Sequence, residues 1–188
     1  MTSLLAGIDL STKRLDAALI PLDPDHGDPN CPPVVFRHVL LPNEKGATPL
    51  YRRVERARAM RRLVHELLKP VPYTLPAPHQ IATHDVASAW LENPRGRHRN
   101  DALTGTFDAI AAAIPGHIIV AGLDPQEWRR ELGLPARMPK ASAQIWTRDW
   151  LSDQGVVHRG AHPPDEHLAE ALLVALAGRQ ILQRHQSA

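Results

Sequence analysis

Cysteine is almost absent: Cys31 stands alone in 188 residues. That count excludes a disulfide framework, disfavours a cysteine-ligated zinc site and fits a reducing compartment. Aromatic residues make up only 4% of the chain, so the core has to be built from Leu, Ile, Val and Ala. No apolar run is long enough to span a bilayer, because the best stretch, Ile110 to Leu123, is cut by Pro115, Gly116 and His117. The opening residues lack the basic region of a secretory signal, and Asp9 falls where its apolar region would run. A soluble cytoplasmic protein with no membrane partner is expected. A large excess of one charge is missing too. A net charge of +2 argues only weakly for a polyanionic partner.

What is present suffices for a packed domain. Hydrophobic residues reach 43%, which makes a disordered chain untenable. The length suits one domain over residues 1–188, with no internal repeat and no linker between two sets of elements. Leu4 to Leu10 and Leu15 to Leu22 read as a hairpin around Ser11–Arg14, and Pro33 to Leu41 as a third strand. Thr48 is a plausible cap for a helix starting at Pro49 and running to Leu68, with apolar residues at helical spacing and several arginines on its other faces. A proline-rich linker then leads to a fourth strand, Gln80 to Val86. A polar, basic loop from Glu92 to Arg99, a helix from Asn100 to Ile114 and a fifth strand from His117 to Leu123 follow. Helices are expected from Asp124 to Leu132, from Ala141 to Leu151 and from Asp165 to about Gln183. Three strands followed by alternating helix and strand predict an α/β fold. Its mixed sheet has three antiparallel strands and then parallel ones, with helices on both faces.

Several polar residues interrupt this apolar pattern. Asp9 closes a strand with no other charge, where an unpaired carboxylate is costly unless exposed, hydrogen-bonded or bound to a cation. Glu170 is the one polar side chain between Leu168 and Ala177, on a helix apolar all round, and His167 shares its face one turn earlier. Asp165 and Glu166 occupy that helix's first turn, where acidic residues also suit the helix dipole. Asp85, with His84 beside it, closes the expected fourth strand, and neighbours on a strand face opposite sides. In open α/β sheets the functional crevice lies beyond such strand ends. Clustered carboxylates with few nitrogens suit magnesium or manganese.

Gly7-Ile8-Asp9-Leu10-Ser11-Thr12 resembles the first strand of RuvC-type Holliday junction resolvases, in the RNase H-like superfamily. His167-Leu168-Ala169-Glu170-Ala171-Leu172 resembles that family's closing motif, and Trp128-Arg129-Arg130 with Lys140 resembles the segment after its fifth strand. The resemblance implies an RNase H-like fold and a metal-dependent endonuclease that works on branched DNA as a homodimer. It implies two Mg2+ or Mn2+ ions, with Asp9 bridging them, His167 and Glu170 completing the sites and Lys140 on a phosphate. Two departures stand out. The fourth strand offers His84 or Asp85 where the family has Glu, and Glu170 stands where Asp is usual. Arg95, Arg97 and Arg99, in a basic loop near the site, are candidates to track a DNA backbone.

Two other readings compete. A catalytically degenerate relative would bind branched DNA without cutting it, and the lack of a clear fourth-strand Glu favours it. A sugar-kinase or actin-type ATPase shares the Asp9-Leu10-Ser11-Thr12 motif but needs a second domain and a second phosphate loop, neither of which is found here.

Overall fold

The computed structural model describes residues 3–11, 13–23, 33–41, 49–74, 81–93, 101–156 and 165–186. In chain order these form β1 (Leu4–Leu10), β2 (Arg14–Pro21), β3 (Val35–Leu40), α1 (Pro49–Leu68), β4 (Val71–Thr74), β5 (Ile81–His84) and β6 (Val86–Glu92). There follow α2 (Asp101–Ala113), β7 (Ile119–Leu123), α3 (Pro125–Glu131), α4 (Lys140–Asp153) and α5 (Glu166–Gln186). Thr48 lies outside the described residues.

Five strands form one sheet in the order β3-β2-β1-β6-β7. The first three are antiparallel, while β1, β6 and β7 run parallel. This is the mixed sheet that the element order predicts. Period-two alternation decides what each face buries. Leu4, Ala6, Ile8 and Leu10 join Leu15, Ala17 and Leu19 of β2 and Val86, Ala89 and Leu91 of β6. Together they pack on Met60, Val64 and Leu67 of α1 and Ile110 of α2. On the opposite face, Leu5, Ala18, Ile20 and Trp90 meet the run from Ala171 to Ala177 of α5, with Trp128 and Leu151 completing the layer.

The seating of α5 depends on glycine. A Cβ at Gly7 would collide with the Ala171 carbonyl and the Ala175 amide, and one at Gly178 would enter the Trp90 ring. Only a bare α-carbon lets the helix lie this close to β1. That contact sets the first turn of α5 above the end of the strand.

The fourth strand corrects the sequence expectation. The run read as Gln80 to Val86 divides at Asp85. Ile81–His84 pairs with Val71–Thr74 in a separate two-stranded sheet, and the strand entering the main sheet is Val86–Glu92. Pro72 is compatible with β4 because both strands of a two-stranded sheet are edges. The polar loop therefore begins after Glu92. Val86-Ala87-Ser88-Ala89-Trp90-Leu91 is covered on both faces, so it lacks the alternation that marks a half-buried strand.

Candidate metal centre

Alternation along β1 turns Leu5, Gly7 and Asp9 toward α5. Asp9, next to last in the strand, is 2% exposed. The parallel ladder pairs Ile8 with Leu91, so the next step brings Glu92 alongside Asp9 on the same face. The two carboxyls are close enough for Asp9 to raise Glu92. From above, α5 contributes His167 and Glu170, one turn apart. His167 Nδ1 lies 2.6 Å from Asp9 Oδ2. One ligand atom each from Asp9, His167 and Glu170 fall within 4.8 Å of one another.

The electrostatics of this cluster are those of a site short of positive charge. Burial pushes the Glu92 carboxyl well above the usual range, and interaction with the Asp9 carboxyl pushes it further; Arg129 partly opposes the rise. Burial likewise raises Glu170, helped by the charge of Asp9. The hydrogen bond to Asp9 raises His167 against the pull of desolvation. Three carboxyls and one imidazole converge at the carboxyl ends of two parallel strands, where charge can be balanced only by protons or cations. Oxygen-rich donors with one nitrogen suit a hard divalent ion such as Mg2+ or Mn2+. The residues present fit such an ion.

The remaining sequence candidates are distributed unevenly. Lys140, at the start of α4, places Nζ 2.9 Å from Glu166 Oε1. The Glu166 hydrogen bond raises Lys140, and the charges of Glu170 and Asp9 add to that. Both residues therefore flank the centre. Asp165 caps α5: its Oδ1 accepts from the amides of His167 and Leu168, each at 3.1 Å. Asp85 and His84 lie elsewhere. Asp85 is exposed at the opposite end of β6, where its carbonyl accepts from the Leu4 amide. The seven residues from there to Glu92 span about 20 Å of extended chain. His84 is buried opposite Val71 in the small hairpin. Neither His84 nor Asp85 reaches the cluster; the acid at the Asp9 end of this strand is Glu92. Arg95, Arg97 and Arg99 lie outside the described residues.

Sequence reading missed Glu92 and also Asp16. Asp16 is opposite Asp9 in the antiparallel ladder, fully buried, and ion-paired to Arg14 with Nε 2.8 Å from Oδ2. A usable signal existed for Glu92: an apolar run closed by a carboxylate, the same pattern that singled out Asp9. The charged pair His84–Asp85 drew the strand end away from it. Asp16 carried a weaker signal, as a lone acid in the apolar run Leu15 to Leu22.

No family model and no curated protein matches the chain. Among solved structures it is similar to Thermus thermophilus RuvC, at 14% identity over 97% of this chain and 96% of that one, with a TM-score of 0.58. It is equally similar to T. thermophilus RuvC in complex with a Holliday junction substrate, at 13% identity with the same coverage and TM-score. The mixed sheet with helices on both faces is thus of the RNase H-like α/β class. Within that class the fold is RuvC-like over almost the whole chain.

Proposed function

We propose that this chain is a divalent-metal-dependent endodeoxyribonuclease that cuts branched DNA, with a four-way junction as its substrate. The observation that carries the reading is the meeting of Asp9, His167 and Glu170, with Glu92 next to Asp9, at one end of β1 and β6 within a RuvC-like fold. In this reading those four residues hold magnesium or manganese, two ions by the family resemblance. Bound there, the metal supplies an activated water and charge neutralisation for hydrolysis of a phosphodiester.

The chain's own residues do the rest. Asp9 and Glu92 form a floor fixed by the β1–β6 ladder, whereas His167 and Glu170 descend from a helix held in place by Gly7. Rigid elements on both sides keep the donors at fixed spacing. His167 meets Asp9 through Nδ1, and its Nε2 lies 3.6 Å from Glu166 Oε1; as an alternative to ligating the metal, the imidazole would hold or pass a proton during the reaction. In this reading Lys140, which flanks the centre, takes a phosphate, and Arg95, Arg97 and Arg99 are further candidates to bind the DNA backbone. Two copies acting together match the paired scissile strands of a junction. None of the described helices is long and apolar enough to cross a membrane.

The reading of a DNA binder that does not cut rested on the lack of a fourth-strand Glu. Glu92, at the end of β6 beside Asp9, weakens that main support, while Glu170 in place of the usual Asp still speaks for it.

The test is cleavage of a labelled four-way junction in magnesium, in manganese and in chelator, beside a linear duplex. Paired metal-dependent nicks near the branch point are expected, absent from Asp9→Asn and Glu170→Gln. Binding without cutting would replace the proposal with an architectural role. Neither binding nor cutting would refute it.

A further inference from the structure

Beside the metal centre lies a chain of ion pairs that the proposed reaction does not use. Asp16 shares the face of Asp9, directly across the ladder, with no exposed surface. Burial raises its carboxyl to about 6 even though Arg14 opposes the shift. A buried acid is costly, and removing one partner of such a pair leaves an uncompensated charge. Two residues earlier on the same strand face, Arg14 spends its guanidinium on two carboxylates at once. Nε lies 2.8 Å from Asp16 Oδ2 and Nη2 lies 2.5 Å from Asp165 Oδ2. Asp165 passes the connection on, because its other oxygen receives the His167 and Leu168 amides. An ion pair at the floor of β2 and hydrogen bonds beyond it thus connect Asp16 to the residue that touches Asp9.

We propose that Arg14 is a positioning residue: anchored on buried Asp16, it clamps Asp165 and the first turn of α5, and so holds the His167 ring against Asp9 in the orientation that completes the metal centre.

This rests on the metal-centre reading above. Three features support it. Two nitrogens of one guanidinium reach Asp16 and Asp165 at once, which a single ammonium on one stem does less readily. Asp165 is half exposed, so a cap of that kind gains little order by itself, and Arg14 ties it to β2, which pairs with β1 from Leu4 to Leu10. The same clamp explains why β2 keeps an acid in an otherwise apolar stretch between Leu15 and Ile20.

The experiment is Mn2+ titration of the purified full-length chain by calorimetry, with circular dichroism to verify folding. Residues that orient a metal ligand typically cost about 10- to 100-fold in affinity when removed. Arg14→Ala and Asp16→Asn should each weaken Mn2+ binding by that much. In a His167→Ala background, Arg14→Ala should change affinity by less than about 2-fold, since a residue acting through another adds nothing once that other is gone. The paired variant Arg14→Met with Asp16→Leu removes both charges without leaving an orphan. It should fold and show the same weakened binding. Wild-type affinity in that folded pair, or an equal Arg14→Ala loss with and without His167, would overturn the clamp. Glu170→Gln separates the two levels of the account. If it binds Mn2+ as the wild type does, the metal centre itself is wrong and the clamp falls with it.

Discussion

The two faces of the sheet are made by the same strands and differ in kind. On the α1–α2 face every β1 residue is aliphatic, and Ile8 is fully buried among its neighbours. One residue on, Asp9 is just as deeply buried but faces α5, where Asp16, Glu92 and Glu170 also gather. One face carries the stability of an ordinary core. The other carries apolar packing along most of its length and a cluster of acids at one end. Adjacent residues therefore differ in role because strand parity sends them to opposite sides.

Substitutions that cross this boundary test it. The largest effect falls on the acidic end. Asp9→Asn, Glu92→Gln and Glu170→Gln should each lower junction cleavage by more than about 100-fold, beyond the range of residues that only orient a ligand, while circular dichroism shows the fold retained. Gly7→Ala comes next. Its added carbon meets helix backbone that has no freedom to yield, so urea melts should show a loss of about 1–3 kcal/mol or more. Ile8→Val, on the plain face, should cost about 0.5–1.5 kcal/mol and leave Mn2+ affinity as it was.

Acidity sharpens the contrast further. Without metal, Glu92 and Glu170 titrate above the ordinary carboxylate range, Asp16 at about 6, and His167 above its ordinary 6.5. A carboxyl raised in the folded state loses stability as pH climbs from its unfolded value through its folded one. A raised histidine stabilises below its unfolded value and loses that contribution as pH rises through the folded one. The signs agree. The Tm in chelator should fall between about pH 5 and pH 8, Mn2+ should restore it, and Glu170→Gln should flatten the slope. The smallest effect belongs to Asp85→Asn, at the far end of β6, which should move stability by about 0.5 kcal/mol at most and cleavage not at all.

Much of this was legible in the residues. Asp9 and Glu170 were visible because each is an isolated charge in an apolar run, and helical spacing added His167. The hairpin, the long first helix and the mixed sheet followed from periodicity and element order. The fourth strand did not. A strand buried on both faces has no alternation to mark its limits, and proline in β4 disguised a two-stranded hairpin as a linker. The charged pair at His84 and Asp85 then supplied a false end, one strand too early. Asp16 and the role of Arg14 depend on which residues the β1–β2 ladder places opposite one another, and on a contact spanning 151 positions between Arg14 and Asp165. Spacing along the chain carries no trace of that.

The central claim is that the metal-binding acid of the central parallel pair is Glu92, at the α5 end of the sheet. Calorimetric Mn2+ titration of Glu92→Gln beside Asp85→Asn tests it most directly. The account predicts that Glu92→Gln loses Mn2+ binding and that Asp85→Asn matches the wild type. Mn2+ binding that survives in Glu92→Gln and disappears in Asp85→Asn would contradict it.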